Sequence, residues 1–187
     1  MSLTLTQLQS IMPLAKDRAR LFLEPLNAAM AEFGIDTPIR QAAFLAQVSH
    51  ESGQLRYTAE IASGAAYATR ADLGNTFPVA QSIAMRKGTD TGRLYKGRGL
   101  IQVTGYSNYL DCGAALGIDC VEAPQLLEAP EAAARSAAWF WQMKKLNALA
   151  DVGNFREITR KVNGGYNGWD DRLAAYNRAK KVLGVGS

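Results

Sequence analysis

At 187 residues, with 48% hydrophobic and 20% charged side chains, the chain has the composition of an ordinary folded protein, not a disordered one. No run approaches the ~18 to 20 apolar residues of a membrane span, and a single histidine excludes a multi-histidine metal site. The net charge of +4 favours anionic partners such as acidic glycans or a cell envelope, yet the 21 basic residues are scattered, without the basic run that points to nucleic acid.

Helical signals dominate in chain order. Thr6 or Ser10 opens a first helix. Arg18 to Phe33 is apolar-periodic, interrupted by Pro25 and closed by Gly34. Asp36-Thr37-Pro38 then reads as the cap and first turn of a helix that runs to Glu51. Residues 52 to 98 are rich in Gly, Ala, Thr and Asn with little periodicity, so a looped lobe with a short helix at 78 to 86 is expected. Leu94 to Val103 suits a short extended segment, although its Gly-Arg-Gly argues for irregular backbone. Helices follow at Tyr109 to Leu116, at Glu131 to Leu146 behind Pro130, and at Phe155 to Val162 ahead of Asn163-Gly164-Gly165. The last spans Asp170 to Leu183, capped by Asp170 or Asp171 and ended by Gly184. Trp139 and Trp141 lie on an amphipathic helix and read as core before ligand platform.

The first ten residues carry neither a basic n-region nor an apolar h-region, so the chain is expected to be made in a cytoplasm without a signal peptide. Cys112 and Cys120 then read as free thiols, with a local disulfide formed after export as the alternative. The expected architecture is mainly α: one catalytic domain over 1–187, with a helical lobe from 1–51 and 109–187 and a loop-rich smaller lobe at about 52–108. Such a lobe can wall a central cleft.

Glu51 is the first candidate for chemistry. Phe44, Val48 and Glu51 fall at i, i+4 and i+7, which continues an apolar helix face into a carboxyl. A carboxyl held against apolar neighbours keeps its proton more readily, as a general acid must. A second carboxyl, Glu60, lies nine residues on. In one unbroken helix the two would stand ~13 Å apart along the axis on opposite faces, so their partnership requires the helix to stop at Ser52-Gly53. His50 points ~100° away from Glu51 and suits a packing or hydrogen-bonding role.

The segment from Tyr95 to Tyr109 adds polar and flat groups. Gly97 and Gly99 permit close backbone approach, Gln102, Thr104 and Asn108 recur at even spacing, and Tyr95, Tyr106 and Tyr109 offer rings of the kind sugars stack on. A structural turn with hydroxyls facing solvent explains the same spacing. Asn163 reads first as part of a helix C-cap and second as an amide offered to a sugar. Arg172 sits unfavourably at a helix start, which Asp171 or a cleft carboxylate would rationalise.

Six pieces, in order along the chain, carry a resemblance. They are Phe-Leu-Ala-Gln-Val-Ser-His-Glu-Ser-Gly at 44 to 53, Tyr-Lys-Gly-Arg-Gly-Leu-Ile-Gln-Val-Thr at 95 to 104, Asn-Tyr at 108 and 109, and Ala-Pro-Gln-Leu-Leu with Ala-Ala-Trp-Phe-Trp at 123 to 141. Ile-Thr-Arg-Lys-Val-Asn-Gly-Gly at 158 to 165 and Arg172-Leu-Ala-Ala-Tyr176 complete them. Together they resemble the glycoside hydrolase family 19 chitinases, and more closely the compact phage endolysins of that group.

The resemblance implies a lysozyme-like helical fold with a cleft between two lobes, and inverting hydrolysis of β-1,4 bonds between amino sugars. Glu51 matches the general acid, Glu60 the general base, and Thr104 the hydroxyl that helps hold the attacking water. Gln102, Asn108 and Asn163 match sugar-binding positions, and Arg172 an arginine that organises the carboxylates. No cofactor or metal is implied. An inverting route needs ~6.5 to 9.5 Å between the carboxyls to fit a water.

The expected function is that of a monomeric endolysin cleaving peptidoglycan, released to the cell wall, with no nucleic-acid partner and no membrane insertion. A chitinase acting on N-acetylglucosamine polymers and a non-catalytic glycan-binding module are the alternatives.

Overall fold

The helical periodicity resolves into ten α-helices joined by short turns in a computed structural model that describes residues 2–186. α1 (Leu5–Ile11) starts at neither Thr6 nor Ser10. Thr4 caps it, accepting from the Gln7 amide while the Gln7 side chain returns to the Thr4 N–H. α2 (Arg18–Glu32) carries Pro25 inside it. α3 (Pro38–Glu51) begins at the expected Thr37 cap with Pro38 in its first turn, and every residue from Gln41 to Ser49 is buried. The sequence suggests one apolar face; the helix is instead enclosed on all sides, as a central helix must be.

α3 ends where the carboxylate pairing needs it to end. Ser52 is its C-cap, and Gly53, Gln54 and Leu55 all take positive φ, at 56°, 57° and 66°. Three consecutive left-handed residues reverse the chain. Only Gly53 adopts that conformation without penalty, so the other two are held by contacts. Buried Ser52 donates its hydroxyl to the Val48 carbonyl and accepts from the Leu55 amide. The Gln54 side chain accepts from the Leu14 amide.

Beyond the reversal come 3-10 turns at Ala65–Tyr67 and Ala71–Leu73, then α4 (Pro78–Arg86), where a short helix is expected, and α5 (Thr91–Leu94). The segment to Val103 is not a strand. Among the described residues there are only isolated bridges, Ala59 to Arg98 and Arg98 to Val103. Buried Arg98 fixes this knot by donating to the Leu94 carbonyl, the Tyr109 hydroxyl and Glu128.

α6 (Tyr106–Leu116) starts three residues before the expected Tyr109, because the Tyr106 amide finds a distant cap in the Asn75 side chain. α7 (Pro130–Met143) ends three residues before the expected Leu146, and α8 (Leu146–Asp151) follows as a separate helix of six residues that the sequence does not signal. α9 (Phe155–Asn163) ends on left-handed Gly164. α10 (Trp169–Leu183) is preceded by left-handed Gly168, so Asp170 and Asp171 lie inside its first turn and are not its cap.

α10 lies along α3, and α7 along α2. One continuous apolar cluster runs from Leu3 to Ala179 and includes Tyr95, Leu100 and Val103 from the loop-rich middle. The fold is mainly α, as expected, and no helix among the described residues is long and apolar enough to cross a membrane.

Candidate functional site

Two networks flank the chain reversal after α3, one at Glu51 and one at Glu60. The first holds Glu51. Arg172, wholly buried, donates from one terminal nitrogen to Glu51 Oε1 and from the other to Gln47 Oε1, both at 2.5 Å, and from Nε to the Asn167 carbonyl. Gln47 in turn donates to Thr159 on α9. The carboxylate, not Asp171, is therefore what rationalises the arginine at the start of α10. Asp171 instead meets His50 Nδ1 at 2.6 Å, which gives His50 the hydrogen-bonding role expected of it. The apolar surroundings expected for Glu51 are replaced on one side by this guanidinium. Oε2 remains for a ligand.

Asn163 belongs to the edge of the same network. Its side-chain carbonyl accepts from the Asn167 amide, which ties the turn after α9 to the residue that supports Arg172. The cap reading holds, and the amide hydrogens of Asn163 are not taken up by that contact.

The second network holds Glu60. Its amide donates to the Gly97 carbonyl, and its Oε2 accepts from the Tyr67 hydroxyl at 3.1 Å. Burial first, and then the neighbouring carboxylate, push the Tyr67 hydroxyl above its ordinary pKa, so it remains a donor. Tyr67 is itself fixed, since its carbonyl accepts from the buried Asn75 whose other end caps α6. Glu60 Oε1 is buried with no protein hydrogen-bond partner, an acceptor left for a water or a substrate hydroxyl.

Gly97 brings Glu60 to the polar segment. A Cβ there would stand 2.5 Å from Gln102 Oε1 and 3.0 Å from Glu60 Oε2, so the absent side chain makes room for both groups. Gln102, Thr104 and Asn108 then line one recess of about 90 Å³, together with Trp139, Phe140 and Lys144. Asn108 also donates to the Thr104 carbonyl at 2.7 Å. Gly99 does not serve a ligand; its would-be Cβ meets Ser136 of α7. A larger, shallow groove of about 580 Å³ beside Glu24, Glu32 and Glu131 shares no residue with this site.

Tyr95 and Tyr106 are not stacking platforms. Tyr95 is 0% exposed and Tyr106 6%, and their rings pack edge to face at 5.4 Å, with Tyr109 equally buried beside Tyr95. Three large rings so close in sequence cover one another more effectively than a ligand could. Trp141 is wholly buried, as expected, but Trp139 serves both the core and the recess wall.

The groups missed by sequence reasoning are Tyr67, Asn75 and Lys144. The first two lie in irregular backbone without periodicity. The Leu-Gly-Asn-Thr at 73 to 76 was the available turn signal. Cys112 and Cys120 are buried free thiols; the hydrogen bond to Cys120, and then burial, push the Cys112 thiol up. No cluster of His, Cys, Asp or Glu able to hold a metal ion lies among the described residues.

Residues 28–156 match the family model described as chitinase class I, glycoside hydrolase family 19. A Haemophilus influenzae protein named glycosyl hydrolase family 19 domain-containing protein is 29% identical over 178 residues, covering 82% of this chain and 84% of that one. An endochitinase of Arabidopsis thaliana is 37% identical over 125 residues, 66% of this chain, and the chain spans 38% of that relative's length. Among solved structures, chitinase C from Streptomyces griseus superposes with a TM-score of 0.74 at 25% identity, over 97% of this chain and 92% of its own.

Proposed function

The chain belongs to the class I chitinase family, glycoside hydrolase family 19, and from that membership we propose an endolysin-type enzyme that cuts β-1,4 bonds of peptidoglycan glycan strands by inversion. Family membership makes it a glycoside hydrolase with a polysaccharide substrate. The observation that carries the mechanism is the contrast between two carboxyls: a buried cation fastens Glu51, and a phenol fastens Glu60.

Glu51 Oε2 protonates the leaving glycosidic oxygen. The negative charge that develops on the carboxyl then falls beside the Arg172 guanidinium, which has nowhere else to go. Glu60, steadied by Tyr67, takes a proton from the attacking water through Oε1. Thr104 helps hold that water, and Gln102, Asn108 and Asn163 bind sugar. The enzyme is a monomer, made in a cytoplasm and acting on the wall after release. The net charge of +4 supports an anionic polymer as its target.

A chitinase is the second reading, favoured by what the endochitinase relatives are named for. Purified peptidoglycan and chitin oligomers, incubated separately and followed by new reducing ends and product mass, divide the two. Reducing ends from peptidoglycan with an inverted anomer are expected. Cleavage of chitin alone makes the enzyme a chitinase, and a retained anomer overturns the water-bridged pair.

A further inference from the structure

The recess beside Thr104 has a lining that a neutral sugar does not require. Its lining combines the polar, uncharged Gln102, Thr104 and Asn108 with the apolar Val103, Trp139, Phe140 and Met143. Lys144 is the one cation of the lining, which contains no carboxylate. Its ammonium lies 5.7 Å from the centroid of the Phe140 ring, and Lys144 forms no ion pair among the described residues. Arg40, Arg98, Arg135 and Arg172, by contrast, each hold a carboxylate. Lys180 shares the ring contact of Lys144, over Tyr176, but lines no part of this recess.

A half-buried ammonium resting on a ring face is already partly desolvated, so an arriving anion meets a smaller dehydration cost than at an open surface. The volume of about 90 Å³ is too small for a sugar ring but admits a short acid substituent. That substituent is what separates the two candidate polymers. Chitin repeats a neutral amino sugar with a free 3-hydroxyl. Every second sugar of peptidoglycan instead carries a lactyl ether at that oxygen, ending in a carboxylate or continuing into a peptide with carboxylates of its own.

We infer that this recess is a carboxylate-accepting subsite for the 3-O-lactyl substituent of a muramyl residue, and that Lys144 distinguishes this substituent from the bare hydroxyl of N-acetylglucosamine. The inference rests on the peptidoglycan reading and deepens it. The substituent's methyl group packs on Trp139, its ether or amide oxygen faces the Gln102 and Asn108 side, and its carboxylate meets Lys144. The lactyl carboxylate itself fills this role on peptide-free strands. On intact strands a carboxylate of the peptide does.

The test uses the full chain carrying Glu51→Gln, which binds without turnover, in calorimetric titrations. Three probes are peptide-free muramyl tetrasaccharide, its carboxyl methyl ester, and the tetramer of N-acetylglucosamine; a peptide-bearing muramyl tetrasaccharide separates the two carboxylate sources. The free acid is expected to bind about tenfold tighter than its ester. Adding Lys144→Met removes that difference and leaves the N-acetylglucosamine tetramer unchanged, while Lys144→Arg keeps it. Equal weakening of all probes by Lys144→Met, or no effect on the acid, overturns the subsite alone. Binding of the N-acetylglucosamine tetramer with no binding of any muramyl probe overturns the peptidoglycan reading and the subsite with it.

Discussion

The Tyr67 hydroxyl donates to Glu60 Oε2 at 3.1 Å across only seven residues, and the Tyr67 carbonyl is clamped in turn by Asn75. The candidate base is thus oriented by its own loop, and that loop is pinned to the start of α6. Tyr67→Phe removes the donor with little change in shape. A hydrogen bond to a charged group contributes roughly 1.5 to 3 kcal/mol, so kcat should fall about tenfold to a hundredfold with KM nearly unchanged. Steady-state kinetics on the preferred glycan measure the split. A change confined to KM would assign Tyr67 to substrate binding.

Much of the helical frame is legible in the sequence because its signals are local. Thr37-Pro38 opens α3, Gly164 closes α9 and Gly184 closes α10, each through the backbone geometry its residue type prefers. Signals that depend on distant partners are not legible. The N-terminus of α6 is capped from Asn75, thirty-one residues earlier, so local reading starts the helix too late. Tyr95 and Tyr106 look available beside flexible glycines, yet they bury each other. The candidate acid is legible from its place on a helix face, but its arginine partner lies at the other end of the chain.

Glu51→Gln and Glu51→Ala should separate catalysis from stability. Glutamine keeps an oxygen for Arg172 but neither the proton nor the charge, so activity vanishes and the melting temperature falls less than in the alanine variant. Alanine leaves a buried guanidinium short of its counter-ion, which costs about 3 kcal/mol or more. Thermal unfolding of the two variants, alongside glycan-hydrolysis assays, reports both effects. Equal melting temperatures would mean that the oxygen offered to Arg172 contributes nothing to the fold.

Gly97→Ala probes the meeting of Glu60 and Gln102. The new Cβ would sit 2.5 Å from Gln102 Oε1 and 3.0 Å from Glu60 Oε2, and both are ends of flexible side chains. They can move aside, so the fold survives while the base is displaced. Activity should drop about a hundredfold, the scale of a ~1 Å misplacement at a reacting group. Circular dichroism and turnover, measured on the same preparation, distinguish this from misfolding.

Acid should weaken two helix-to-helix ties. Hydrogen bonding to Arg135 lowers the Glu32 carboxyl below its ordinary 4.5, and Arg40 lowers Asp151 below 3.8 in the same way. A carboxyl depressed in the folded state stabilises it fully above the unfolded value, and the contribution disappears as pH falls through the folded one. The loss therefore begins near pH 4.5 for Glu32 and near 3.8 for Asp151. Both carboxylates are partly exposed, so salt and solvent keep each contribution small. Denaturant midpoints from pH 6 to 2 should fall less steeply in Glu32→Gln than in the parent chain.

The two cysteines should be silent while the protein is folded. Both are buried, the Cys112 thiol is pushed up, and Cys120 donates to the Tyr109 carbonyl. A thiol reagent should label neither at neutral pH in native buffer within minutes, and both in denaturant. Rapid native labelling would contradict their enclosure.

Glu51 and Arg172 are separated by 121 positions, and the guanidinium reaches the carboxyl only when α10 has closed on α3. The two halves of the acid's environment therefore leave the ribosome far apart in time. A chain interrupted just before α10 carries both carboxylates, the recess and the polar segment, but not the cation that balances Glu51. A glycoside hydrolase built this way has its first carboxyl fully set only by its last helix.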